Sequence, residues 1–356
     1  MKNIDALPKV GWLCSYSPLE ILHAAGLLPV RVFGHGSAVR KADSHMHPNL
    51  CPYVRSVLDV ALEGGCGHLR GMLFVNSCDA MRRLRDVFLS YVDLEFNHLI
   101  DLPRGRSDAD AAHFKRELKN LKSAIEKHFG VEITEEALRN SIEKYKISRE
   151  LYAELNNLRK ETPPRISGAE IMRLGWLIYS TPPEIWNENA ETVLNEKKAA
   201  PPPPPTGRQR ILLTGNLIHS PNILEFVEDC GLDVVYDDTC TGSRFFELPI
   251  AGTAANTDDP LGDLARAYLF KPACARMMVI EERAKRIIEK SKEFDAAGII
   301  HHTLKFCDTY LYDVPILKNA LNDAGFQTLF VEGDCTLGSF GQLKTRIEAF
   351  AEILEG

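Results

Sequence analysis

Nine cysteines are the residues of this chain best suited to chemistry, and six of them stand in related places. Cys14, Cys78, Cys240 and Cys307 each follow a short apolar run that reads as a β-strand. Cys51 and Cys274 sit in Cys-Pro and Pro-Ala-Cys contexts that read as helix starts. A thiol at the carboxyl end of a parallel strand faces the crevice where open α/β sheets bind ligands. A helix N-terminus lowers a thiol pKa and favours the thiolate. Four cysteines at strand ends point to a shared crevice. Cys66, Cys230 and Cys335 lack the pattern and are expected to pack as small hydrophobes.

Spacing bears on which metal such thiols would take. Structural zinc sites use close pairs of the Cys-x-x-Cys kind, and the sequence has none. Iron–sulfur clusters also need thiolates but accept ligands dispersed over a fold, so spread thiols fit a cluster better. A nucleophilic cysteine working with His301 or His302 is the alternative, and it leaves the other cysteines unexplained. His45-Met46-His47 offers two imidazoles, though such a pair is more simply an exposed loop. Glu20 and His23, three apart on a predicted helix beside Cys14, could act as acid and base, or serve as a cap acid and a packed histidine. No Gly-x-Gly-x-x-Gly follows a strand and no Gly-Lys-Ser/Thr phosphate loop occurs. Thr214-Gly215-Asn216 is a weak anion signal. If ATP is used, a partner must hydrolyse it.

These residues need elements to position them. Val10 to Leu13, Leu27 to Phe33 and Gly71 to Val75 read as strands. Ser17-Pro18-Leu19-Glu20 reads as a capped helix start, with Ser17 the cap. After Cys78 the texture becomes helical. Phe114, Leu118, Leu121, Ile125 and Phe129 share one helix face, and Leu138, Ile142, Tyr145, Tyr152 and Leu155 share another, with Arg149 the charged exception. Helices follow near 167–179 and 183–197. Pro201 to Pro205 cannot sit inside a helix or a central strand and reads as a stiff spacer. The expected organisation is therefore an N-terminal α/β domain with a helical extension (1–198), a proline-rich linker (199–207) and a C-terminal α/β domain (208–356). The second half restarts the rhythm, with strands at 210–214, 232–236, 297–301 and 326–331. Strands alternating with helices imply parallel sheets with right-handed crossovers. The expected fold is α/β: two doubly wound, flavodoxin- or Rossmann-like domains plus a helical segment.

The apolar share, 45%, is ordinary for a soluble globular protein. A net charge of −7, without blocks of like charge, argues against nucleic acid or an anionic membrane as main partner. No run of 18 apolar residues occurs, and Met1 to Trp12 lacks the apolar core of a signal peptide. A cytoplasmic protein is expected, where cysteines serve metal or redox chemistry more often than disulfides.

Several motifs together resemble the 2-hydroxyacyl-CoA dehydratase and benzoyl-CoA reductase family. They are Gly11-Trp12-Leu13-Cys14, Pro18-Leu19-Glu20 with His23-Ala24-Ala25-Gly26, Cys51-Pro52-Tyr53-Val54-Arg55, and Asn76-Ser77-Cys78-Asp79-Ala80-Met81-Arg82-Arg83. In the second half they are Asp237-Asp238 with Gly242-Ser243-Arg244, Lys305-Phe306-Cys307-Asp308, and the run from Gly341 to Phe350. The resemblance implies a [4Fe-4S] cluster between two α/β domains, held by Cys51, Cys78 and Cys307. One iron would be left open for substrate, and electrons would come from a separate ATP-hydrolysing iron–sulfur activator. The double-cubane branch of the family looks closer. It implies an [8Fe-9S] cluster on six thiolates, which Cys14, Cys51, Cys78, Cys240, Cys274 and Cys307 supply, with Cys335 in reserve for Cys14. It further implies ATP-dependent reduction of a small molecule, here by a homodimer with its cluster in the inter-domain cleft. A dehydratase subunit with one cubane, working beside a partner chain, is the alternative, and a non-catalytic electron carrier or sensor is the next. Glu20, His23 and Ser77 are the expected proton-handling residues.

Overall fold

The computed structural model describes residues 6–249, 258–334 and 340–356. Cys335 and most of the expected loop from Pro249 to Pro260 lie outside them. The first sheet is built from β1 (Lys9–Trp12), β2 (Leu28–Arg31), β3 (Gly71–Val75) and β4 (Phe96–Ile100), all parallel, in the order β2-β1-β3-β4. Its helices are α1 (Leu19–Ala24), α2 (Pro52–Leu62) and α3 (Asp79–Tyr91). The sheet is buried on both faces, which is why its strands read as nearly continuous apolar runs. Val10, Trp12, Leu73 and Val75 pack on one side, while Met72 and Phe74 meet Val57, Leu58, Leu84 and Phe88 from α2 and α3 on the other.

Four helices follow: α4 (Asp108–Phe129), α5 (Glu135–Asn157), α6 (Gly168–Leu177) and α7 (Pro183–Ala199). Ser107 and Asp110 form a reciprocal capping box on α4, and Gly130, at φ +66°, ends it in the left-handed conformation that favours glycine. Phe114, Leu118, Leu121 and Ile125 are buried along α4, and Leu138, Ile142, Tyr145, Tyr152 and Leu155 along α5. Arg149 breaks the α5 stripe because it forms an ion pair with the buried Glu20. Pro201 to Pro205 then run without helix or strand.

The second sheet repeats the first. β5 (Gln209–Gly215), β6 (Leu232–Asp238), β7 (Gly298–Leu304) and β8 (Gln327–Gly333) are parallel in the order β6-β5-β7-β8. Its helices are α8 (Asn222–Asp229), the single turn α9 (Ser243–Phe246), α10 (Pro260–Phe270), α11 (Ile280–Glu293), α12 (Asp308–Asp323) and α13 (Phe340–Glu355). Ile211, Leu213 and Ile300 face α8 and α13, while Leu212, Val235 and Ile299 face α11 and α12. α10 reaches back across the molecule: Leu264, Ala265, Tyr268 and Leu269 are buried in the same core as α4 and α5.

Three local expectations differ from the structure. β4 is not legible in the sequence, because Asn97, His98 and Leu99 are only half-buried between Phe96 and Ile100, as suits an edge strand. Ser17 does not cap α1. Pro18 holds the N-cap position, and the Ser17 amide instead donates to the Cys14 carbonyl at 2.9 Å, closing the turn that presents Cys14. Cys274 is not at a helix start, since α11 begins only at Ile280.

Candidate functional site

The carboxyl ends of the two sheets carry the cysteines. In an open sheet the ligand crevice lies where the strand order reverses. In the first sheet that place is between β1 and β3, and Cys14 and Cys78 follow these two strands. In the second it is between β5 and β7, followed by Asn216 and Cys307, with Cys240 just after β6. Gly215 makes the β5 turn possible: its φ is +143°, and a Cβ there would lie 1.8 Å from the His302 carbonyl oxygen.

One cavity of about 110 Å³ is lined by Cys14, Cys51, Cys78, Cys240, Cys274 and Cys307 together. Apolar walls come from Leu13, Tyr53, Val54, Met81, Leu217 and Leu304. The cavity opens into a cleft of about 670 Å³ that shares Cys51, Cys78, Cys307, Ser77, Arg276 and Thr309 with it. The six thiols thus divide into an outer three on that cleft and an inner three, Cys14, Cys240 and Cys274, that line only the cavity. Cys66 and Cys230 are buried elsewhere in the two cores.

Each outer cysteine is the N-cap of a helix: Cys51 of α2, Cys78 of α3 and Cys307 of α12. Pro52 at the first position of α2 suits the geometry. Phe306 adopts φ +57°, an unusual conformation for a bulky residue, where the chain turns from β7 into α12. Cys51 and Cys307 influence one another's protonation in opposite directions. A hydrogen bond from Cys51 pulls the Cys307 thiol down to about 6, helped by Asn216, the Thr309 hydroxyl at 3.7 Å and the Tyr310 amide. The same bond raises Cys51. Burial pushes Cys78 up to about 12.

The inner cysteines sit in turns surrounded by cations. Burial raises the Cys14 thiol, and the nearby Cys274 and Cys240 add to this. The Arg31 guanidinium donates from Nη1 to the Cys240 carbonyl at 2.9 Å and from Nη2 to its Sγ at 3.8 Å. It is packed on the rings of Trp12, Phe33 and Tyr179 at 4.8, 5.3 and 4.9 Å. Lys271 donates from Nζ to the Ser15 carbonyl at 2.7 Å, between the rings of Tyr16 and Tyr268. Burial pushes its ammonium down to about 7, against the pull of Cys14 and Cys240. Tyr310 donates its hydroxyl to Cys274 Sγ at 3.7 Å.

The Asp237-Asp238 and Gly242-Ser243-Arg244 motifs hold these turns. Asp237 accepts from the Ser243 amide at 2.8 Å and pairs with Arg159 at 3.0 Å. Arg244 pairs with Asp238 at 3.6 Å, donates to the Ala273 carbonyl at 3.1 Å, and also reaches the Gly215 carbonyl. One buried side chain therefore joins the β5 end, the Cys240 turn and the Cys274 loop. The network also fixes Asp238 through the Thr214 hydroxyl at 2.9 Å.

Ser77 lines both cavity and cleft. Glu20 and His23 do not line either. Glu20 is fully buried and takes the Arg149 guanidinium and the Tyr268 hydroxyl at 2.9 Å. His23 shares a hydrogen bond with Ser141 at 2.8 Å and lies 3.4 Å from Glu184. His301 and His302 are buried within β7 and line neither space, and His45 packs at a tilt against Tyr91, ring centroids 4.1 Å apart. Sequence reasoning missed Arg31 and Lys271. Their signal was a lone cation in an apolar strand and another just before Pro272-Ala273-Cys274.

Among the described residues, no three cysteines bring ligand atoms within 4.8 Å of one another, so the thiols do not converge on a single ion. A cluster takes its ligands on separate irons and needs a wider spread. His35, Asp59 and Glu63 do meet that limit. There Asp59 already accepts from the Ala42 and Arg40 amides at 2.8 and 3.1 Å and from His35, which ties down a loop. The charges around the cysteine cavity fit an anionic group. Arg31 and Lys271 are buried with no carboxylate paired to them among the described residues, and the Nε atoms of Arg31 and Arg276 have no acceptor. Buried cations need an anion, and thiolate-ligated iron–sulfur groups supply one.

This is an α/β protein of two doubly wound units with a thiol-lined centre between them. Comparison with known proteins places it further. The 2-hydroxyglutaryl-CoA dehydratase, D-component, family profile matches residues 14–354. The chain belongs to this family, which includes 2-hydroxyacyl-CoA dehydratase and benzoyl-CoA reductase subunits. It is 29% identical over 347 residues to the (R)-phenyllactyl-CoA dehydratase beta subunit of Clostridium sporogenes, covering 97% of this chain and 91% of that protein. It is 26% identical to the lactoyl-CoA dehydratase subunit beta of Anaerotignum propionicum, covering 97% and 91%. It is 27% identical to one of the benzoyl-CoA reductase subunits of Thauera aromatica, covering 90% and 84%. No helix among the described residues is long and apolar enough to cross a membrane.

Proposed function

We propose that this chain is a low-potential iron–sulfur reductase of small molecules. In this reading Cys14, Cys51, Cys78, Cys240, Cys274 and Cys307 hold a double-cubane [8Fe-9S] cluster. A separate ATP-hydrolysing [4Fe-4S] activator supplies the electrons, and the protein works as a cytoplasmic homodimer. The observation that carries the reading is that all six cysteines line one cavity. When bound, such a cluster supplies electron transfer at very negative potential.

The chain's own residues do the rest. Three helix N-termini place backbone amides behind the outer thiols, where partial positive charge stabilises thiolate. Leu13, Val54, Leu217 and Leu304 give the cavity apolar walls. The cleft of about 670 Å³ admits substrate beside Cys51, Cys78 and Cys307. There the Ser77 hydroxyl is placed to hold or pass a proton, while Glu20 and His23 support α1 and α5 from a distance. The proline segment 199–207 is the proposed domain boundary.

A second reading has a specific observation in its favour. The outer cysteines alone are helix caps and alone reach the cleft. A [4Fe-4S] subunit of a two-chain dehydratase would need only those three, and the relatives compared above are named as subunits. A non-catalytic electron carrier is distinguished by a reduced cluster that no candidate substrate reoxidises. Anaerobic purification followed by iron and acid-labile sulfide assay separates the first two: about eight irons per chain supports two cubanes and about four supports one.

A further inference from the structure

The positive charge around the cavity is unevenly placed. Arg31 contacts Cys240 directly, Lys271 contacts the residue after Cys14, and Arg244 contacts the residue before Cys274. Arg31 lines the cavity, Lys271 lies behind it on the Ser15 carbonyl, and neither borders the outer cleft. The outer cysteines have acidic neighbours instead. Asp79 follows Cys78 and Asp308 follows Cys307, and both line the cleft with Glu281 and Asp313. Arg276 borders both spaces, and Arg104 stands on the cleft wall.

We propose that Lys271 and Arg31 are positioning residues that make the inner side of the cavity, beside Cys14, Cys240 and Cys274, the resting place of an added electron. The inference rests on the double-cubane reading above. An external one-electron iron–sulfur donor is oxidised by one electron, and the inner site gains it. No bond forms or breaks and no proton is required. The added negative charge lies near the Arg31 guanidinium and the Lys271 ammonium, whose protonated form it favours, in a buried, weakly screening site, where a charge–charge interaction is stronger than in water. On the outer side the charges are closer to balanced, because Asp79 and Asp313 are paired with Arg83 and Arg283, and Arg104 and Arg276 stand beside Glu281 and Asp308. The arrangement therefore gives direction to the transfer: entry from the cleft, storage within, and return to the cleft when substrate is present.

The test is a potentiometric titration of the anaerobically purified full-length protein, followed by absorbance and electron paramagnetic resonance, with iron counted in every sample. Lys271→Gln is expected to keep about eight irons and to disfavour the first one-electron reduction at least tenfold, or 59 mV for one electron. Lys271→Arg, which keeps the charge, restores the native value. Arg31→Gln shifts the potential in the same direction, and it decides the question if Lys271→Gln fails to load iron. Arg104→Gln, on the outer wall, shifts it less. Full iron with an unmoved potential in Lys271→Gln and Arg31→Gln would overturn the inference. So would an equal shift in Arg104→Gln. About four irons in the native chain would overturn the double-cubane reading itself, and that result is visible before any variant is made.

Discussion

Cys51, Cys78 and Cys307 are each held at a helix N-terminus, whereas Cys14, Cys240 and Cys274 lie in turns held by buried arginine and lysine side chains. Both devices favour negative charge at sulfur, but they differ in what they need. A helix N-terminus is complete without a ligand, and it contributes about 0.3–1 kcal/mol to a nearby anion. A buried cation without a carboxylate is incomplete until an anion arrives. The outer half of the cavity is thus formed by the fold alone. In the proposed reading, the inner half is completed by the anionic cluster.

That difference can be broken at several points, the most severe being the ligands themselves. Cys78→Ser should remove the outer share of the iron and Cys240→Ser the inner share, each leaving roughly half of the native count by iron assay. Loss of all iron in either variant would mean that the halves are not separable. Arg244→Met comes next, because it strips Asp238 of a buried partner and unties the Cys240 and Cys274 loops from β5. It should cost about 3–5 kcal/mol by urea unfolding and release inner iron before outer.

The outer half depends on β7, which ends just before Cys307 and contains the buried His302. Burial lowers the His302 imidazole to about 4. It stays neutral in the fold while the unfolded chain takes up a proton, so its contribution is present above about pH 6.5 and is lost as pH falls toward 4. The loss is roughly 3 kcal/mol at most. His302→Leu should flatten the fall in melting temperature between those pH values, and a fall of unchanged steepness would place its origin elsewhere. The smallest effect is expected at His23→Asn. Its ring is away from the cavity, bonded to Ser141, so iron content and reduction potential should not change and stability should drop by about 1 kcal/mol. A changed potential would restore His23 as a group acting on the centre.

Much of the frame was legible in the residues. Strands such as Gly71–Val75 and Leu232–Asp238 are buried on both faces, so their apolar runs stand out. α4 and α5 show their faces in the spacing of Phe114, Leu118, Leu121 and Ile125, and of Leu138, Ile142 and Tyr145. β4 was not legible because an edge strand needs little apolar sequence, and Asn97 and His98 give none. The six cysteines were sorted from Cys66 and Cys230 by places after strands and at expected helix starts, and the cavity gathers those six although Cys274 is not at a helix start. Their division into inner and outer sets could not be read, because it arises from tertiary contacts at long range. Arg31 meets Cys240 across 209 residues and Lys271 meets Ser15 across 256. Glu20 could be read in sequence either as an acid for chemistry or as a structural acid. Its place beside Cys14 in sequence pointed to chemistry, yet its carboxylate turns into the core toward Arg149 and Tyr268.

The most direct measurement is the iron and acid-labile sulfide content of the native chain, purified without oxygen. With both halves of the cavity filled, the account predicts about eight irons per chain. About four would leave the inner thiols without a role in metal binding, and none would contradict an iron–sulfur centre altogether.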